Sequence, residues 1–121
     1  NTAVVEHKNL FKSLDEIIGN TKRGILVTNT WYTRFSNYLT GDFSTVPRDM
    51  ALYIESGEPK FAIGSADSSF VGIRISDNML RMLKNITAAA GKTVQTSSWD
   101  AGSDYYFTPS ILVEDVKVTT A

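Results

Sequence analysis

The chain has 121 residues, 42% of them hydrophobic and 21% charged, and 12 basic against 13 acidic side chains leave a net charge of −1. That is the composition of one ordinary globular domain, which buries roughly two-thirds of its unfolded surface, and the charge balance gives no electrostatic case for nucleic acid or an anionic membrane. The absence of cysteine excludes disulfides and thiolate metal sites, and no apolar run approaches the ~20 residues of a membrane span.

A cytoplasmic location and a single domain over 1–121 are therefore expected, with no repeat, linker or low-complexity segment. The chain opens on Asn1 rather than Met, which points to a fragment or a processed product. Ala3 to Glu6 is predicted as a short strand, followed by a polar stretch containing His7. Ser13-Leu14-Asp15-Glu16 has the capping-box form, and Leu14, Ile17 and Ile18 give a short helix its apolar stripe before Gly19-Asn20 stops it.

Gly24 to Glu55 organises the rest. Ile25, Val27, Trp31 and Phe35 alternate onto one face of an extended strand, and Leu26, Thr28, Thr30, Tyr32, Arg34 and Ser36 onto the other. On this reading Trp31 and Phe35 are core. Asn37 to Asp42 supplies turn chemistry, with Asn37, Gly41 and Asp42 as its structural residues and Gly41 at positive φ. A second strand resumes at Phe43, is interrupted at Pro47, and recovers at Met50, Leu52 and Ile54. The whole reads as one long β-hairpin whose interrupted second strand leaves an edge near Pro47.

Glu55 to Glu58 is a second turn, Lys60 to Ile63 a returning strand, Gly64 to Ser69 a polar loop, and Phe70 to Ile75 extended again. Ser76 or Asp77 is expected to cap the main helix, whose buried stripe is Met79, Met82, Leu83, Ile86 and Ala90 and which ends at Gly91. Thr93 to Ser98 is a further strand, Trp99 to Asp104 a loop, and Tyr105 to Phe107 a packed aromatic run. After Pro109, Ile111 to Val118 closes the fold. The expected class is α+β: a mostly antiparallel, strongly curved and barrel-like sheet with two helices.

Chemistry is sparse. His7 is the only histidine, so neither a Ser-His-Asp triad nor a self-contained zinc site is expected. Asp100 and Asp104 sit in a turn-rich loop, and Glu114 and Asp115, adjacent on a strand, would point to opposite faces. No phosphate-binding glycine loop is present. Trp31, Tyr32, Arg34, Phe35, Tyr38 and Arg48 interleave aromatic and basic groups as a single-strand-binding surface does, but the charge balance argues against nucleic acid. Tyr32, Arg34 and Arg48 are instead the candidate contacts to a partner or a peptide, gathered with Asn37 and Asp42 at the hairpin end.

Several blocks, in order, resemble the C-terminal domain of the TldD/PmbA family, often labelled modulators of DNA gyrase. Asn1-Thr2 with Val5-Glu6 resembles its NT-x-x-x-E opening, and Thr21-Lys22-Arg23-Gly24-Ile25-Leu26-Val27 its TKRG block. Asn37 with Thr40-Gly41-Asp42-Phe43-Ser44 resembles N-x-x-TGDFS, Tyr53 to Glu58 the following turn, Leu83-Lys84-Asn85-Ile86 the family's LKNI, and Pro109 to Glu114 its closing strand.

The resemblance implies a chain several times longer, of which this is the C-terminal piece. It implies a zinc peptidase subunit of TldD type, with an H-E-x-x-x-H helix, paired with a PmbA/TldE-type subunit that lacks the site. This sequence has no H-E-x-x-x-H, no late cysteine ligand in Ser97 to Gly102, and Trp31 to Phe35 where TldD-type chains are Gly-rich; Gly64 to Ser69 is longer than the usual connection. The missing cysteine and the Trp31 to Phe35 segment favour the PmbA/TldE-like subunit in a heterodimer, with no cofactor in this chain and zinc only in a TldD-like partner or upstream domain. In a TldD-type chain the H-E-x-x-x-H motif is expected upstream of this domain. Self-association, a catalytic TldD-like parent, and an interaction module linked to gyrase modulation are the alternatives.

Overall fold

The computed structural model describes residues 2–4, 10–11, 13–48, 51–63, 72–91, 93–96 and 105–120. His7, Met50, the segment 64–70, Asp100 and Asp104 lie outside the described residues. The strands are β1 (Thr2–Val4), β2 (Leu10–Phe11), β3 (Arg23–Val27), β4 (Thr30–Asn37), β5 (Asp42–Pro47), β6 (Ala51–Glu55), β7 (Glu58–Ile63), β8 (Ile73–Asn78), β9 (Ile86–Ala90), β10 (Val94–Thr96), β11 (Tyr105–Thr108), β12 (Ile111–Val113) and β13 (Val118–Thr120). Two short helices, α1 (Leu14–Gly19) and α2 (Met79–Lys84), complete a mostly β chain.

The strands form four sheets, ordered β13-β8-β5-β4, β3-β6-β7, β12-β9-β2 and β1-β11-β10, and no described sheet closes into a barrel. Pairing is antiparallel except for β1 with β11 and β2 with β9. Gly24 to Glu55 does fold back on itself, but as two ladders in two different sheets. Gly24 to Val27 pairs with Ala51 to Ile54, and Thr30 to Asn37 pairs with Asp42 to Pro47. Between them the Arg48 N–H donates to the Asn29 carbonyl at 2.9 Å. Pro47 is the last residue of β5, beyond the four residues that pair with β8, so its missing N–H costs that ladder nothing.

The helix starting at Met79 is much shorter than its apolar spacing suggests. Strand β8 runs on to Asn78, and Asn78, not Ser76 or Asp77, is the N-cap, its Oδ1 accepting from the Arg81 N–H at 3.1 Å. Helix α2 stops at Lys84. Ile86 to Ala90 then extends as β9 between β12 and β2, with Ala88, Ala89 and Ala90 buried. β-branched Ile86 and Thr87 favour the extended form, and the small alanines let α1 pack close to the strand. No residue of α2 is fully buried; Leu83 is 54% exposed. The closing run also divides: Ile111–Val113 pairs with β9, Val118–Thr120 with β8, and Glu114-Asp115 form the bend between, with Asp115 at φ 57°.

The core is built from modest side chains: Ile17, Phe43, Ile54, Ile73, Ile75 and the alanines of β6 and β9. Helix α1 is capped as read, the Glu16 N–H donating to Ser13 Oγ at 3.3 Å. Buried Thr21 then turns the chain, its Oγ1 donating to the Ile17 carbonyl at 2.8 Å. The β6–β7 turn lies directly on α1. Gly57 has φ +78°, and a Cβ there would come within 2.5 Å of the Gly19 carbonyl oxygen. No described helix is long and apolar enough to cross a membrane.

Candidate interaction surface

Register decides what β4 displays. Trp31 pairs with Val46 and Arg34 with Ser44, so three steps on β4 match two on β5 and one extra residue bulges out. The bulge contains Tyr32, a non-glycine residue at φ 53°. Thr45 Oγ1 pins it by donating to the Trp31 carbonyl at 3.0 Å, and it shares a 2.8 Å hydrogen bond with Thr33 Oγ1.

The extra residue reverses the alternation. Phe35 pairs with buried Phe43 on the core side, ring centroids 6.1 Å apart. Trp31 shares a face with Arg34, Ser44 and Val46, whose strand neighbours Phe43, Thr45 and Pro47 point inward. Trp31 and Phe35 therefore do not share a face, and Trp31 is half-buried rather than core.

Around the Trp31 ring the expected contact residues converge. The Tyr32 ring lies 4.6 Å away, tilted by 40°, and the Arg48 guanidinium sits 5.3 Å over the indole, a cation–π distance. Arg48 reaches there because its N–H is anchored on Asn29. Exposed Arg34 stands one pleat repeat along the same face. Sequence reasoning placed Trp31 in the core and so missed the platform on which two of its three contact residues rest. β5 pairs with β4 along its length but with β8 only over Asp42–Thr45, so the end at Pro47 has no described partner on that side, and β4 is a second edge of the sheet.

Asn37, Gly41 and Asp42 are not part of this cluster. They sit six or more residues along the ladder, about 20 Å from Trp31 at the rise of an extended strand. Asn37 Oδ1 accepts from the N–H groups of Leu39 (2.9 Å) and Thr40 (3.2 Å), closing an Asx turn. Gly41 takes φ +85°, and its carbonyl accepts from the Met79 N–H at 2.9 Å. Asp42 accepts from Asn78 Nδ2 and Thr40 Oγ1, both at 2.9 Å, which holds its carboxyl below the ordinary value. The turn is thus docked on the start of α2.

A second polar cluster, not anticipated from the sequence, lies beside that docking point. Buried Asp77 accepts from Arg81 Nε at 2.7 Å and from Arg81 Nη2, from the Lys117 N–H at 2.8 Å, and from the Asn78 N–H at 2.6 Å. Arg81 Nη2 also donates to the Asp115 carbonyl. The Arg81 hydrogen bonds hold the Asp77 carboxyl far below its usual range despite burial. An Asp–Arg pair spaced i, i+4 was the available signal.

The resemblance implies a metal, so the donor sets matter. Among the described residues no group of three or more His, Cys, Asp or Glu side chains could hold an ion. The one buried carboxylate among the described residues, Asp77, already accepts from four N–H donors. These residues do not fit a metal site.

Comparison with known proteins follows the same lines. Residues 1–120 match the family model described as the PmbA/TldA metallopeptidase C-terminal domain. The fold is similar to TldE from Thermococcus kodakarensis (TM-score 0.74, 27% identity, 96% of this chain and 23% of that one). It is also similar to candidate modulators of DNA gyrase from Thermotoga maritima (TM-score 0.73, 23% identity, 98% and 24%) and Bacteroides thetaiotaomicron (0.71, 23%, 100% and 22%). This chain spans less than a quarter of the length of each. No curated protein matches its sequence. The chain belongs to the PmbA/TldD family, as its C-terminal domain.

Proposed function

We propose that this domain is the C-terminal part of a PmbA/TldE-like subunit that pairs, in the cytoplasm, with a TldD-like zinc metallopeptidase subunit for peptide degradation or maturation, taking no chemical step itself. The observation that carries this reading is the likeness to TldE, 27% identical over 96% of the chain. The sequence adds to it: no cysteine stands in Ser97 to Gly102, and Trp31 to Phe35 stands where TldD-type chains are Gly-rich. Tyr32 and Arg48, which lie against the Trp31 ring, and Arg34, further along the same face of the sheet as Trp31, are the contacts to the partner or its peptide. A catalytic TldD-like parent is the competing reading, and an upstream H-E-x-x-x-H in the parent gene would decide for it.

The test uses the full-length protein and its peptidase partner. Zinc analysis after dialysis is expected to find no stoichiometric metal on this subunit, and peptide hydrolysis is expected only when both subunits are mixed. One tightly held zinc per chain here, or hydrolysis by this subunit alone, overturns the assignment. The triple change Tyr32→Ala, Arg34→Ala, Arg48→Ala is expected to weaken assembly or turnover while leaving the fold intact.

A further inference from the structure

Strand β4 is eight residues long and outermost in its sheet, with no described strand beyond it. Such an edge offers a ladder of backbone groups to an incoming strand. Its charge is one-sided. The register puts Arg34 on the open face, together with Arg74 of β8, whose neighbours Ile73 and Ile75 are buried, and Arg48 lies over Trp31 on the same side. Among the described residues of this sheet the carboxylates are Asp42 and Asp77. The first is engaged by Asn78 and Thr40, the second turned inward onto Arg81. A chain of net charge −1 thus sets three arginines, Arg34, Arg48 and Arg74, on this face against one described carboxylate, Asp42 at its far end.

We propose that the β4 edge docks an extended acidic peptide segment, which adds as a strand and sets a carboxylate beside Arg34, with Arg48 available at the Trp31 end. The proposal rests on the reading of β4 as a contact surface and names the chemistry of what it contacts. A cross-strand carboxylate next to arginine is favourable and a like charge is not. The same rule disfavours a second copy, because antiparallel pairing of two β4 strands centred on Arg34 sets two Arg34 side chains opposite each other. Single-stranded nucleic acid fits less well. It needs free aromatic faces for its bases, whereas Arg48 covers one face of Trp31 and Tyr32 lies against the same ring.

The test uses fluorescein-labelled ten-residue peptides of alternating threonine and valine bearing two glutamates, the same peptide with two lysines, and the glutamate peptide N-methylated at every second residue. Anisotropy with the 121-residue chain is expected to show the glutamate peptide bound at least about three-fold more tightly than the lysine peptide. N-methylation, which removes ladder donors and keeps the side chains, should weaken binding about ten-fold or more. Arg34→Glu should reverse the charge preference with an unchanged melting curve, and amide shifts should fall on Thr30 to Asn37. Equal affinity for both charges, indifference to N-methylation, tighter binding of a ten-nucleotide oligothymidine, or a dimer that the peptide dissociates would each overturn the proposal. If no peptide binds while the triple change still breaks subunit assembly, the acidic-strand proposal falls and the subunit reading stands.

Discussion

The two sides of the four-stranded sheet treat charge in opposite ways. On the β8 side Asp77 is buried and meets four N–H donors, tying strand, helix α2 and the approach to β13 into one unit. On the β4 side Arg34 is exposed and Arg48 has only the Trp31 ring as a described side-chain contact. A satisfied buried charge fixes a structure, while exposed cations on an outer strand are available to something else. Substitutions on the first side should therefore change stability, and those on the second should change binding.

The largest expected effect is Asp77→Ala. It leaves the Arg81 guanidinium and two backbone N–H groups without their acceptor, at a cost of about 3 kcal/mol in denaturant unfolding. The same carboxylate gives a pH signature. Its folded value lies well below the ordinary 3.8, so its contribution is complete above about pH 5 and fades as pH falls through the unfolded value toward the folded one. Unfolding midpoints should drop between about pH 5 and pH 2 in the parent chain, and Asp77→Asn should flatten that slope. An unchanged slope would mean that other carboxylates govern the acid response.

Second comes Gly41→Val, where the two sides are joined by the hairpin turn. A Cβ at this position would meet Met79 Cβ at 3.4 Å, an ordinary contact, so the penalty is conformational: φ +85° is unfavourable for a β-branched residue. About 2 kcal/mol is expected from thermal or denaturant melts. The companion change Gly41→Asn should recover part of it, because asparagine tolerates positive φ.

What the sequence disclosed divides along local and non-local lines. Ser13 as a cap and the Asn37 to Asp42 turn depend on a few neighbouring residues, and their chemistry could be read directly. The length of α2 could not. Met79, Met82, Leu83, Ile86 and Ala90 satisfy a helical period, yet Ile86 to Ala90 pairs as a strand between β12 and β2, a choice made by partners distant in sequence. The face of Trp31 was lost for a smaller reason. One bulged residue at Tyr32 inverts the side chains from Arg34 to Phe35, a second register shift before Asn37 follows, and strict alternation carries no sign of either. Sheet order is likewise non-local, which is why the long edge on β4 was not read from the sequence.

Trp31→Ala follows in size. Had the ring been core, about 3–5 kcal/mol would be lost; half-buried on the open face, it should cost about 1–2 kcal/mol. Binding of the glutamate peptide should suffer more than stability does, since Arg48 loses the ring that positions it. A loss as large as that of Phe43→Ala, at a residue only 7% exposed, would place Trp31 back in the core and dissolve the distinction between the two faces.

The smallest effect has the most telling sign. Tyr32 holds φ 53°, a conformation that costs a non-glycine residue about 1–2 kcal/mol and that glycine takes without penalty. Its ring, 64% exposed, recovers part of that cost against Trp31. Tyr32→Gly should therefore leave stability unchanged or raise it by about 0.5 kcal/mol, the backbone relief slightly exceeding the lost ring contact. In the full-length protein the same change should weaken assembly with the proposed peptidase partner or peptide turnover, because the tyrosine is removed from the proposed contact cluster. A strained residue whose replacement helps the fold and harms the interaction is held there by the interaction. Tyr32→Ala separates the causes: it removes the ring and keeps the positive-φ cost, so it should be less stable than Tyr32→Gly and equally impaired in binding. If Tyr32→Gly destabilises the domain while assembly and turnover persist, the bulge serves the packing of β4 on β5, and the open side of the sheet is structural like the other.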